Sequence, residues 1–104
     1  AEKETVHIVL LDLNLPDMTG AEVLQQITSS EKLRHTPVVV VSTSDDQKDV
    51  LEMYRLRCNS YVVKPSNFDD YVQTLRTIFE YWSTVMVLPD PDGLESPGLV
   101  NPTQ

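Results

Sequence analysis

The sequence predicts an α/β fold, a small parallel sheet layered between helices, and three observations carry that expectation. Short apolar, β-branched runs recur at Val6–Leu11, Val38–Val41 and Tyr61–Val63. None of them alternates with polar residues, which is the pattern of strands covered on both faces. Each is followed by apolar residues at helical spacing, so the order is β-α-β-α-β-α, and right-handed crossovers make the sheet parallel.

The elements follow in chain order. After the first run, Thr19 and Glu22 stand in capping-box spacing, with Ala21, Val23, Leu24 and Ile27 on one side of the helix they open. After the second, Ser44 and Gln47 form another such pair, and Val50, Leu51 and Tyr54 are the expected buried side. After the third, Asn67 is placed to cap a helix in which Phe68, Tyr71, Val72, Leu75, Ile78, Phe79 and Trp82 recur at helical spacing. Residues 1–88 therefore read as one domain. From Pro89 the composition shifts: "PDPDGLESPGLVNPTQ" holds four of the seven prolines and has no periodicity, so 89–104 is expected to be a flexible tail.

Composition narrows the function. Sixteen acidic residues face eight Lys and Arg, for a formal charge of −8, and no basic cluster stands out. Nucleic acid and anionic membranes are poor partners for such a chain. No apolar run is long enough to cross a bilayer. The single cysteine, Cys58, has no internal partner and sits where a small buried residue belongs. A cytoplasmic location is the expectation. His7, inside the first run, and His35, in a loop, share no metal-binding spacing. Asp45–Asp46 and Asp69–Asp70 stand where helix N-termini favour negative charge.

The chemistry gathers at the ends of the apolar runs. In open parallel sheets ligands bind beyond the carboxyl ends of the strands. The first run ends at Asp12, the second at Ser42 and the third at Lys64, followed by Pro65. Taken singly, each has a bland explanation as a turn or surface residue. Together, a carboxylate, a hydroxyl and an ammonium are what a phosphorylatable carboxylate requires: one group attacks phosphorus and two hold its oxygens. Such a transfer ordinarily uses Mg²⁺ held by oxygen ligands.

"LLDLNLPDMTG", "PVVVVSTS" and "YVVKP", in this order, resemble the receiver domain of two-component response regulators over about Val6 to Trp82. "LLDLNLP" and "FEYWSTVMVLP" are further similar to stand-alone receivers paired with phytochrome-type sensor kinases. The resemblance implies a non-enzymatic signalling protein with a sensor histidine kinase as partner. It makes Asp12 the phosphoacceptor, Ser42 the hydroxyl that meets the phosphoryl group, Lys64 its pairing cation and Tyr61 the aromatic switch. It gives the backbone carbonyl of Asn14 to the metal, together with Asp12, and makes the Lys64–Pro65 bond cis. Thr43, after the switch hydroxyl, is larger than is usual there and is expected to slow access to the site.

A full receiver has five βα units in the order 2-1-3-4-5, and the resemblance covers units 3 to 5. The acidic pair of the first unit is therefore not in this sequence. Glu4 lies eight residues before Asp12, about 26 Å in an extended strand, at the wrong end of the sheet. The resemblance gives Asp17 no metal role. Mg²⁺ binding is accordingly expected to be weak or absent. The first strand would be an apolar edge and the last helix would keep part of its stripe uncovered, so a homodimer is expected. The alternative to a phosphoacceptor is a phosphorylation-incompetent interaction module. An aspartate-nucleophile phosphatase is disfavoured, because Asn14 stands where that chemistry needs a second acid.

Overall fold

Four valines and a serine in a row decide where the centre of the sheet lies. The computed structural model describes residues 8–16 and 19–89. Expectations for Glu2, Glu4, Val6, His7, Asp17 and the segment beyond Pro89 fall outside those residues. Strand β2 (Val38–Ser42) is buried at every position and lies between β1 (Val9–Asp12) and β3 (Ser60–Val63). Both pairings are parallel, with Asp12 opposite Val41 and Ser42 opposite Val63. Helices α1 (Gly20–Ser29), α2 (Gln47–Arg55) and α3 (Phe68–Glu80) follow the strands in turn. The three-stranded, three-helix α/β architecture expected from the runs is the one observed.

The period-2 alternation of β2 divides the packing into two layers. Val38 and Val40 join Leu11, Leu24, Ile27, Met53 and Cys58 in one core cluster, beneath α1 and α2. Val39 and Val41 face the other way, and Val62, paired with Val41, borders a groove shared with Ile78 and Trp82 at the end of α3. On α3 itself no side chain is fully buried. Phe68 and Phe79 of its expected stripe are 76% and 63% exposed, while Tyr71, Val72, Leu75 and Ile78 are half-buried. Helical spacing is clear in this segment, but a stripe is covered only as far as a neighbouring layer extends.

The helices correct three local expectations. Thr19 does occupy the N-cap of α1, but its side chain makes no capping bond. A Cβ at Gly20 would collide with the end of the Leu13 side chain, so close packing of glycine on leucine sets the entry of this helix. At α2 the cap is Asp46, which accepts from Lys48 N–H at 2.9 Å, rather than Ser44. Ser44 lies two residues too early and instead accepts from Asp46 N–H and donates to Asp49 Oδ2 at 2.6 Å. The buried side of α2 is Met53 with half-buried Val50 and Leu56, whereas Leu51 and Tyr54 are exposed. Two i,i+3 rows run along this helix, and only packing distinguishes them. Asn67 caps α3 as expected, accepting from Asp70 N–H at 3.1 Å. Beyond Glu80 the helix widens over Tyr81–Val85, closed by Met86 N–H to the Tyr81 carbonyl.

The C-terminus of α2 is closed by a residue in an unusual conformation. Arg57 has φ of 79°, the one positive φ outside glycine among the described residues. Its N–H donates to the Tyr54 carbonyl, and Cys58 N–H reaches back to Met53, the double closure of a Schellman motif. Cys58 and Met53 meet in the core, the apolar contact that accompanies this ending, and burial raises the pKa of the Cys58 thiol. A left-handed conformation costs a side-chain-bearing residue about 1–2 kcal/mol, part of which glycine would return as unfolded-state entropy. Arg57→Gly is therefore expected to raise stability by about 0.5–1 kcal/mol, read as a higher urea midpoint at unchanged slope. A lower midpoint would mean that the arginine side chain stabilises the fold more than its backbone strains it.

Candidate functional site

Register brings the polar residues together. Leu13 N–H donates to the Val41 carbonyl and Lys64 N–H to the Ser42 carbonyl, at 2.9 and 2.7 Å, so all three strands end at nearly one level. Asp12 and Lys64 emerge there from the two outer strands, and the ammonium crosses the end of β2 to reach Asp12 Oδ2 at 2.8 Å. Asp12 Oδ1 accepts from Asn14 N–H, also at 2.8 Å. Lys64 is further held with its Nζ 5.5 Å from the centroid of the Tyr71 ring, within cation–π range. The expected cis bond at Lys64–Pro65 is not found: no peptide bond among the described residues is cis. Trans is the ordinary preference, by about 0.5–1 kcal/mol, and Lys64 reaches Asp12 with it.

Ser42 is 4% exposed, and its Oγ accepts from Ser44 N–H at 3.1 Å. Its hydroxyl makes no direct bond with Asp12; it shares the sheet edge. Tyr61 lies on the α1–α2 side of β3 and is not at the carboxylate. Its hydroxyl donates to the Ser44 carbonyl at 2.9 Å, so Ser44 links the Ser42 hydroxyl to the Tyr61 ring. Asn14 does more than lend a backbone carbonyl. Its side-chain oxygen accepts from Thr43 N–H at 2.9 Å and its amide donates to Thr43 Oγ1 at 3.1 Å. That reciprocal pair ties the loop after β1 to the loop after β2, directly beside Asp12. The sequence pattern marks Ser44 as a helix cap and Tyr71 as part of an apolar stripe, and it announces neither their contacts here nor the Asn14–Thr43 pairing.

The donors available to a divalent cation are few. Asp12 supplies a carboxylate already engaged by Lys64, and Asn14 supplies a backbone carbonyl. Among the described residues no group of three or more His, Cys, Asp or Glu comes together. These oxygens suit a hard cation in kind, but Mg²⁺ takes about six of them.

A parallel sheet whose carboxyl edge gathers aspartate, serine and lysine in this way is the hallmark of a receiver-type α/β domain. Residues 1–76 match the response regulator receiver domain, and the chain belongs to that family. It is 49% identical over 76 residues to the probable methanogenesis regulatory protein FilR2 of Methanothrix harundinacea, covering 73% of this chain and 49% of that protein. It is 39% identical over 83 residues to the response regulator Rcp1 of Synechocystis, covering 80% and 56%. Among solved structures, the phosphorylated cyanobacterial phytochrome response regulator RcpA superposes with a TM-score of 0.76 at 40% identity, over 81% of this chain and 60% of that one. The Mn(2+)-bound form of Rcp1 does so with a TM-score of 0.72 at 38% identity, over 80% and 60%. The chain thus spans about half the length of the curated relatives it matches. No helix among the described residues is long and apolar enough to cross a membrane.

Partial burial raises the pKa of the Asp12 carboxyl, but the Lys64 hydrogen bond, the Asn14 amide and the Lys64 charge together hold it below the usual aspartate value. A depressed carboxyl contributes stability that is present above its unfolded pKa and lost as pH falls through its folded one. Lys64→Met is expected to move the Asp12 side-chain titration to higher pH, followed by carboxyl carbon NMR, and to flatten the acid limb of the stability curve. An unmoved titration would show that the ion pair does not set the charge state of Asp12.

Proposed function

We propose that this chain accepts a phosphoryl group on Asp12 from a sensor histidine kinase of phytochrome type and displays the result as a change in a protein-binding surface. The observation that carries this reading is the Asp12–Lys64 contact at 2.8 Å, with Ser42 at the same strand edge. In the transfer, an Asp12 carboxylate oxygen forms a bond to phosphorus. The P–N bond to the kinase imidazole breaks, and its electron pair leaves on the ring nitrogen. Lys64 exchanges its bond to Asp12 for a charge-assisted bond to a phosphoryl oxygen. Ser42 Oγ–H donates to a second oxygen, drawing the loop through Ser44 inward. Since Tyr61 is bonded to the Ser44 carbonyl, that movement reaches the surface through its ring.

A bound Mg²⁺ would be held by Asp12 and the Asn14 carbonyl and would neutralise charge on the transferred group. The relatives include a receiver solved with Mn(2+), which supports a site of this kind. With two protein oxygens from the described residues, weak binding is the expectation for this chain. The Asn14–Thr43 pair holds the larger Thr43 in the loop next to the switch hydroxyl, which favours slow entry of water to an acyl phosphate. The chemistry needs no enzymatic turnover by the chain itself, and a cytoplasmic location suits a kinase-supplied phosphoryl group.

Incubation with Mg²⁺ and acetyl phosphate is expected to give a phosphoryl mass gain in the intact chain that is absent from Asp12→Asn. Gain of equal size in that variant would place the modification elsewhere and sink the assignment. No gain in either, with the fold intact by circular dichroism, would favour an interaction module.

That second reading has its own support. Leu10 on β1 is 42% exposed, and Phe79 and Val85 are exposed near the end of α3. Nothing among the described residues pairs with the outer edge of β1. Self-association through the β1 edge or the last helix covers such surface. Sedimentation velocity at micromolar concentration is expected to show a homodimer; a stable folded monomer would refute it.

A further inference from the structure

At the end of the sheet opposite Asp12, the loops entering β2 and β3 border a cavity of about 370 Å³. Arg34, His35, Thr36, Arg57 and Asn59 line it, and among the described residues no carboxylate does. Two of the four arginines, Arg34 and Arg57 out of Arg34, Arg55, Arg57 and Arg76, converge on this one cavity. Among the described residues, neither guanidinium lies within ion-pair distance of a carboxylate; the one ion pair among those residues, Lys64–Asp12, is at the other end of the sheet.

Two further observations point the cavity toward an anion. Asn59 Oδ1 accepts from Val38 N–H at 2.7 Å, so with its acceptor committed to the strand the side chain has N–H donors left to offer. Arg57 occupies the left-handed position at the end of α2, where glycine would sit without strain. The helix ending is served equally well by glycine, so the closure itself supplies no reason for a guanidinium at this point. An outlier of this kind directs attention to function. Two planar guanidinium forks, a ring N–H and an amide match the several oxygens of a phosphate group better than the two of a carboxylate. The volume sits at the lower end of small-molecule sites, which favours a compact ligand.

We propose that this cavity is a second anion site, separate from Asp12, that binds a phosphate group carried free or on a small ester. Asn59 and Arg57 lie in the loop entering β3, and Arg34 and His35 in the loop entering β2. An occupant bridges the two and braces the start of the central strand through the Asn59–Val38 bond.

The test is an amide NMR titration of the intact chain with inorganic phosphate, with glycerol phosphate and, at matched ionic strength, with acetate. Saturable shifts at Arg34, His35, Arg57 and Asn59 are expected with both phosphates, and a free-phosphate site is distinguished from an ester site by which of them binds tighter. Affinity is expected to be unchanged in Asp12→Asn, and weaker by about tenfold in Arg34→Gln and in Arg57→Gly, each of which removes a charge-assisted fork. Arg57→Gly is compatible with the helix ending, so a loss there is not a loss of folding. Equal response to acetate, shifts confined to Ser42 and Lys64, or undiminished binding in both arginine variants would overturn the proposal. Phosphorylation at Asp12 has no bearing on these readouts.

Discussion

The constraint on which the rest depends is the complete burial of β2. A strand covered on both faces and paired on both edges cannot slip by one residue without turning its whole side-chain set over. Val38 and Val40 are committed to the α1–α2 core and Val39 and Val41 to the opposite face, so the register of β1 and β3 is committed with them. That register brings Asp12 opposite Val41 and sets Lys64 just past the partner of Ser42. The Lys64–Asp12 contact spans the end of β2, from one outer strand to the other. A slip on either side would separate the two charges by a residue's rise, about 3.3 Å. The apolar valines, which touch no ligand, are therefore what hold the polar site to its geometry.

Asp12, Ser42 and Lys64 were legible because each interrupts an unbroken apolar run, and in a parallel sheet the ends of such runs share an edge. The same logic gave the element order and the parallel pairing. What escaped were contacts made across long stretches of chain by residues whose types are ordinary for loops. Asn14 and Thr43 lie 29 residues apart, and Tyr61 and Ser44 are 17 apart. Nothing in local spacing announces either pair. The cap of α2 was misplaced for a different reason: serine and aspartate compete closely for the N-cap, so the position where the chain turns decides between Ser44 and Asp46. The face of α2 was likewise ambiguous, because rows through Val50 and Met53 or through Leu51 and Tyr54 fit the same period.

The family assignment and the physical reading meet at the strand ends and part at the surfaces. The family match and the structural similarity to phytochrome response regulators agree with the order β-α-β-α-β-α. The left-handed Arg57 and the cavity it borders belong to the opposite end of the sheet, where of the three family motifs only Pro37, the first residue of one, is a lining residue. A small domain can thus divide its two ends between unlike chemistry: one arranged around a carboxylate, the other around guanidinium groups, with the buried strand as the spacer.

One contact gives the sheet a direction. Lys64 N–H points toward β2, so by alternation Tyr61 N–H points away from it, to the open side of β3. There it donates to the Tyr54 hydroxyl at 3.2 Å. A phenol from α2 therefore occupies the place a further strand's carbonyl would take. This works as a stopper: an extended segment approaching β3 must first displace it, whereas one approaching β1 meets no such plug among the described residues. The two margins of the same three-stranded sheet are chemically unequal, and growth by strand addition is biased toward the side that begins with Val9.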